Sequence, residues 1–115
     1  MVGARFLRET RRLFTRMKGT LRSGMQFAVR VIYSGPVQGV GFRYQTKILS
    51  RHYDVQGYVR NQADGTVELR VEGEKLELER FLCSITERMS ENIDDAVVQW
   101  LDASGDFSAF EIRHR

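Results

Sequence analysis

A glycine-rich stretch, residues 35–43, carries the residue types that bind phosphate. It reads Gly-Pro-Val-Gln-Gly-Val-Gly-Phe-Arg and lies between a strand-like and a helix-like segment. Its glycines permit positive φ angles, so successive backbone N–H groups can turn towards one anion. The start of the following helix adds unpaired amides and the positive end of its dipole. With the positive charge of Arg43 beside it, the stretch is typical either of a phosphoryl-binding cradle or of a tight turn.

Asn61 is the second residue whose type suits chemistry at that cradle. Its carboxamide donates and accepts hydrogen bonds, so it can orient a water molecule but cannot remove a proton. The other interpretation is a hairpin residue whose side chain caps its own turn. His52 is the obvious candidate base, but its helical spacing from Arg43 places it on the opposite side of the helix. We therefore expect His52 on the surface.

Apolar periodicity predicts the elements that position these residues. Strands are expected over residues 27–33, 55–61, 66–72, 96–101 and 109–113, and helices over residues 42–53 and 78–89. This order predicts an α+β, ferredoxin-like split βαβ sandwich, with an antiparallel sheet of about five strands and two helices on one face. In that topology the first two strands run parallel with the third between them, so the cradle and Asn61 share one edge. Alternating charges on the third strand predict that the other face of the sheet is wet.

Charge divides the sequence into two parts. Residues 1–24 carry seven basic residues and one acidic residue, whereas the remainder carries eleven basic and fourteen acidic residues. The high isoelectric point therefore belongs to the N-terminal arm, and we expect no nucleic-acid binding by the body. The arm is interpreted as an untranslated or disordered extension, a targeting peptide or a basic amphipathic helix, and it is placed outside the fold. Residues 25–115 are expected to form one domain.

Composition excludes several classes of protein. A length of 115 residues suits one domain, and Cys83, the only cysteine, allows neither an intrachain disulfide nor a cysteine-based zinc site. No stretch approaches the roughly 20 apolar residues of a membrane-spanning helix, so no transmembrane segment is expected. His52, His114 and the carboxylates lack ligand spacing, so we predict no metal and no cofactor. We expect a cytoplasmic monomer, although the arm leaves organellar targeting open.

Residues 35–43 resemble the first acylphosphatase signature, G-x-V-Q-G-V-x-F-R, at every position. Residues 57–73, which contain Gly57, Asn61, Gly65 and the final Gly73, resemble the second signature of the same family. The likeness covers about residues 25–115 and includes an ending, residues 108–112, that is similar to the family's last strand. It implies a ferredoxin-like enzyme that hydrolyses the carboxyl-phosphate bond of small acyl phosphates without a metal or cofactor.

The resemblance also assigns roles by motif position. It implies that Arg43 binds the phosphoryl group, that Asn61 orients the attacking water, and that Thr46 occupies a supporting position usually held by threonine. The phosphate cradle corresponds to the backbone amides of Gln38, Gly39, Val40, Gly41, Phe42 and Arg43.

Two alternatives to a free-standing enzyme stay open on the sequence. One is a catalytically inactive regulatory module that binds phosphate or acyl phosphate. The other is a module resembling the N-terminal part of hydrogenase-maturation carbamoyltransferases. Those chains continue into cysteine-rich zinc-binding segments, whereas this sequence ends at Arg115, so we expect the free-standing enzyme.

Overall fold

The predicted order of strands and helices is present in the computed structural model, which describes residues 25–114. The predicted N-terminal extension lies outside the described residues. The elements are β1 (Gln26–Ser34), α1 (Phe42–Ser50), β2 (Val55–Asn61), β3 (Val67–Glu74), α2 (Lys75–Arg88), β4 (Asp95–Asp102) and β5 (Phe110–Arg113).

The helix α1 ends three residues earlier than its apolar spacing predicts. After Ser50 the amides of Arg51, His52 and Tyr53 donate to carbonyls three residues back, at 3.1 to 3.2 Å. Bonds of this spacing tighten the last turn and end the helix. The apolar side chain of Tyr53 keeps the helical spacing, which is why the pattern alone overestimates the length of α1.

The five strands form one sheet in the order β4-β1-β3-β2-β5. The pairs β1–β3, β1–β4 and β2–β3 are antiparallel, as predicted, but β5 pairs parallel with β2. This difference follows from the path of the chain, because β4 ends at the end of the sheet where β2 begins. A short connection therefore starts β5 there and makes it run alongside β2.

Strand register brings the predicted functional residues to one edge of the sheet. Tyr33 of β1 and Asn61 of β2 both lie opposite Val67 of the intervening strand β3. Since neighbouring strands are about 4.8 Å apart, the ends of β1 and β2 are separated by about 10 Å. Arg113 pairs with Arg60, so β5 also ends at this edge. The edge thus collects the ends of three strands and the start of α1.

Both helices pack on the same face of the sheet, as expected. α1 contacts β2 and β5, whereas α2 contacts β1 and β3. The hydrophobic core lies between the two layers, and Trp100 is partly buried and packs against it. Fully buried core side chains include Val29, Val31, Tyr33, Val59, Val67, Leu69, Val71, Leu78, Phe81, Leu82 and Ile85.

The opposite face of the sheet differs from the prediction of a wet surface. Glu68 and Glu72 of β3 are only 2% and 4% exposed. Arg30 and Arg60 cover Glu68 from the two neighbouring strands, and the β4–β5 connection covers Glu72. The alternating pattern identifies the correct face but not these partners, so the expectation of full solvation is wrong at both carboxylates.

Candidate active site

The cradle is shaped by glycines that adopt left-handed backbone angles. Gly39 and Gly41 have φ angles of 76° and 79°, a region that L side chains rarely adopt. A Cβ atom added at either glycine would meet nothing within 4 Å, so conformation rather than space accounts for these two residues. At Gly35 space is limiting as well, because a Cβ would lie 2.8 Å from the carbonyl oxygen of Asn92.

Buried side chains fix the cradle to the body of the protein. Val37 is fully buried, and the ring of Phe42 packs against Tyr33 with 5.0 Å between ring centroids. The Nδ2 atom of Asn92 donates to the Pro36 carbonyl at 3.3 Å. The backbone at residues 36–42 is therefore held by packing on both sides, and α1 begins directly from it.

The backbone amides of the cradle have no acceptor in the part of the chain that the structure describes. Within residues 25–114, none of the N–H groups of residues 38–43 donates a hydrogen bond to another residue, and the N-terminus of α1 has no side-chain cap. Unsatisfied donors of this kind are stabilised by water or by a bound anion. Of these six residues, Gly39, Gly41, Phe42 and Arg43 line a cavity of about 320 Å³, whereas Gln38 and Val40 are not among its lining residues. The other residues that line the cavity are Val37, Tyr44, Asn61, Ile112 and His114.

Arg43 gives the cavity its positive charge. No acidic residue is among the described residues that line the cavity. The Nη1 atom of Arg43 donates to the backbone carbonyl of Arg113 at 3.5 Å and to Nδ1 of His114 at 3.4 Å. Both bonds are long and neither partner is a carboxylate, so the charge of the guanidinium is not neutralised by a described residue. The remaining N–H groups of its planar fork are available to an anion.

Asn61 lies on the same cavity as Arg43, as the sequence predicts. Its carboxamide makes no hydrogen bond to any described residue, so the side chain does not cap the hairpin between β2 and β3. Thr66 closes that hairpin instead, because its amide donates to Oδ1 of Asp64 at 3.0 Å and to no part of Asn61. Side-chain and backbone hydrogen bonds from Thr66 lower the pKa of Asp64. The amide group of Asn61 is thus available for water or ligand.

The side chain of Gln38 connects the cradle to the hairpin between β2 and β3. The sequence did not indicate this role. Its Nε2 atom donates to the carbonyls of Gln62 and Thr66 at 2.8 and 2.9 Å. Those carbonyls belong to the hairpin that begins at Asn61. The bonds therefore couple the position of the cradle to the position of Asn61.

Two other residues singled out in the sequence do not line the cavity, and three residues that were not singled out do. Thr46 is fully buried and donates to the Phe42 carbonyl at 2.8 Å, so it supports the first turn of α1 rather than lining the cavity. His52 is exposed and away from the cavity, as expected. Tyr44, Ile112 and His114 line the cavity but were not predicted. The placement of Ile112 and His114 depends on β5 lying beside β2, which periodicity alone does not specify.

Among the described residues, the cavity brings together amides without acceptors, an arginine without a carboxylate partner and a carboxamide. Such groups are typical of a site that binds phosphoryl groups. Comparison with known proteins defines the class further. The family model described as Acylphosphatase matches residues 29–112. An acylphosphatase of Anaeromyxobacter dehalogenans is 41% identical over 86 residues, which cover 73% of this chain and 91% of that protein.

Solved structures agree with this family match. The crystal structure of acylphosphatase from Bacillus subtilis has a TM-score of 0.68 and 28% identity, covering 76% of this chain and 98% of that one. A crystal structure of full-length HypF in the phosphate- and nucleotide-bound form has a TM-score of 0.64 and 26% identity. In that case the match covers 80% of this chain but only 12% of the other.

The chain belongs to the acylphosphatase family. It is an enzyme that hydrolyses acyl phosphates, and none of these comparisons favours the catalytically inactive module. Neither described helix has the length and apolar character needed to cross a membrane.

Proposed function

We propose that the phosphoryl group of an acyl phosphate binds in the cavity, with its oxygens at the amides of residues 38–43 and at the guanidinium of Arg43. The observation that carries this proposal is a row of amides that have no acceptor within residues 25–114, beside an arginine that has no carboxylate partner there. Preorganised donors of this type stabilise charge that develops on phosphoryl oxygens in the transition state.

Asn61 orients the attacking water in this proposal. Its carboxamide lies on the cavity and is not engaged by a described residue, so it can hold a water molecule by donating and accepting hydrogen bonds. The water oxygen forms a bond to phosphorus as the bond from phosphorus to the acyl oxygen breaks. The carboxylate leaves with that electron pair, in line with the incoming water. An acyl phosphate has a good leaving group, so positioning and charge stabilisation supply most of the catalysis.

The proton of the water goes to a phosphoryl oxygen of the substrate. Asn61 is not a base at neutral pH. His114 is the imidazole on the cavity, but its Nδ1 atom accepts from Arg43, and an arginine can only donate. The contact with Arg43 therefore occupies Nδ1 of His114. Hydrolysis then yields a carboxylate and inorganic phosphate without a side-chain base.

The reaction requires no metal in this proposal, because the amides and Arg43 provide the positive potential that a metal would otherwise supply. The experiment is hydrolysis of benzoyl phosphate by the purified full chain, before and after treatment with a strong chelator. We expect rapid hydrolysis with unchanged kcat and KM after chelation. Absence of hydrolysis, or a loss that added metal restores, would contradict the proposal.

A further inference from the structure

The end of β5 contacts Arg43 through two acceptors. The carbonyl of Arg113 and Nδ1 of His114 both accept from the same Nη1 atom, at 3.5 and 3.4 Å. These are contacts between residues about 70 positions apart, so they exist only because β5 lies beside β2 at the site edge. Nη2 and Nε, which have no acceptor among the described residues, are left for the phosphoryl group.

The end of β5 is itself fixed from the other face of the sheet. The guanidinium carbon of Arg113 lies 4.3 Å from the ring centroid of Tyr58 and 5.7 Å from that of Phe107. Its Nε atom also donates to Glu111 at 2.8 Å. Cation–π contacts and an ion pair thus hold this residue, and its carbonyl and the following imidazole face Arg43 from a fixed strand.

We propose that His114 is a positioning residue for Arg43, whose imidazole holds the guanidinium in the orientation that receives the phosphoryl group. This inference rests on the proposed function, in which Arg43 binds phosphate. Arg43 lies at the mouth of an open cavity and has no carboxylate partner among the described residues, so its long side chain needs other acceptors to restrict it. The carbonyl of Arg113 is one, and the imidazole is the other.

A positioning role requires a hydrogen-bond acceptor in the side chain of residue 114. The group must accept a hydrogen bond, because Arg43 can only donate. Asparagine offers an acceptor oxygen close to the position of Nδ1, whereas alanine offers none. The test therefore compares His114→Ala with His114→Asn, and uses His52→Ala as the control that removes an exposed imidazole away from the cavity.

The readouts are kcat and KM for benzoyl phosphate and the inhibition constant of inorganic phosphate. For His114→Ala we expect kcat/KM to fall, and the inhibition constant to rise, by about three- to tenfold, as for loss of one modest hydrogen bond. His114→Asn should recover most of that loss, and His52→Ala should match the wild type. Unchanged constants in His114→Ala, or a loss that asparagine does not recover, would overturn the proposal.

A double variant separates positioning from direct contact with the substrate. In an Arg43→Ala background, measured at raised enzyme concentration, His114→Ala should have no further effect on either constant, because the group that it positions is gone. A full additional loss would show that His114 acts on the substrate itself. If Arg43→Ala alone retains activity, the proposed function fails. If Arg43→Ala is impaired but His114→Ala is not, only the present inference fails.

Discussion

Arginines occupy two contrasting environments in this protein. On the open face of the sheet, Arg30 and Arg60 donate to the two carboxylate oxygens of Glu68 at 2.5 and 2.6 Å. At the site edge, the partners of Arg43 among the described residues are a backbone carbonyl and an imidazole, both at long distance. In the first arrangement two guanidinium groups pair with one carboxylate, whereas in the second no described carboxylate pairs with the guanidinium of Arg43.

The backbone amides of the two regions differ in the same way as their arginines. The carboxylate of Glu72 accepts from the amides of Ser104 and Gly105 at 3.0 Å, so donors of the β4–β5 connection are satisfied. The amides of residues 38–43 have no such acceptor within the described part of the chain. Amides without an acceptor, followed by the start of a helix, are typical of anion-binding sites. Together with an arginine that has no carboxylate partner among the described residues, they support the proposed phosphoryl site.

Replacing Arg43 should give the largest kinetic effect and should differ most clearly from replacing an arginine that pairs with Glu68. Arg43→Ala should lower kcat/KM for benzoyl phosphate by at least about a hundredfold, since one preorganised donor to developing charge contributes about 3 kcal/mol. Its free energy of unfolding should stay near the wild-type value. Arg30→Ala is the matched control and should show the reverse, with a lower stability and unchanged kinetics where it is folded. Equal kinetic losses in the two variants would remove the distinction.

Asn61→Ala should produce the next largest effect. We expect kcat to fall about a hundredfold through misplacement of the water. KM and the inhibition constant of phosphate should change little. Asp64→Ala tests the hairpin without touching the cavity, so it should reduce stability slightly and leave kcat intact. A matching kcat loss in Asp64→Ala would indicate that Asn61 acts only through the shape of the hairpin.

Removing the charge of Glu68 should affect stability and spare catalysis. Burial alone would raise the pKa of Glu68, but hydrogen bonds and charge from Arg30 and Arg60 outweigh it and lower that pKa. The stabilisation is therefore complete above the ordinary glutamate pKa of about 4.3 and is lost as pH falls through the depressed value.

Glu68→Gln should therefore lower the free energy of unfolding by about 1 to 3 kcal/mol at neutral pH. The difference from wild type should shrink in acid, as measured by urea unfolding at pH 7 and near pH 3. If the difference in the free energy of unfolding does not depend on pH, the charge of Glu68 is not what stabilises the face of the sheet opposite the helices.

Gln38→Ala should give the smallest effect. Loss of two hydrogen bonds to the hairpin should reduce kcat about fivefold, which corresponds to about 1 kcal/mol. The side chain of Gln56 bonds only to Asp54 among the described residues. Gln56→Ala is therefore a control that removes a similar side chain away from the site. No kinetic difference between these two variants would exclude Gln38 as a link between the cradle and Asn61.

The fold was largely predictable because its elements have clear periods. Apolar alternation defines β1 and β3, helical spacing defines α2, and Asp64-Gly65 marks the hairpin. The parallel pairing of β5 was not predictable in this way, because a four-residue strand carries no information about its neighbour. The burial of Glu68 was missed for a related reason, since Arg30 lies 38 residues away and meets it only through strand register.

The candidate site was predicted in part. The glycines and Arg43 stand in one segment, and split βαβ topology places Asn61 at the same edge. The side-chain bonds of Gln38 and the contact of His114 with Arg43 were not predicted, because each joins the cradle to a segment distant in sequence. Contacts of that kind depend on final packing rather than on local pattern.

The most direct test of the central claim is a crystal structure of the full chain grown with inorganic phosphate. We predict a phosphate ion in the cavity, with its oxygens within hydrogen-bond distance of amides in residues 38–43 and of the Arg43 guanidinium, and the Asn61 carboxamide facing it. A cavity that stays free of phosphate at a saturating concentration, or an ion bound only by other residues, would contradict the account.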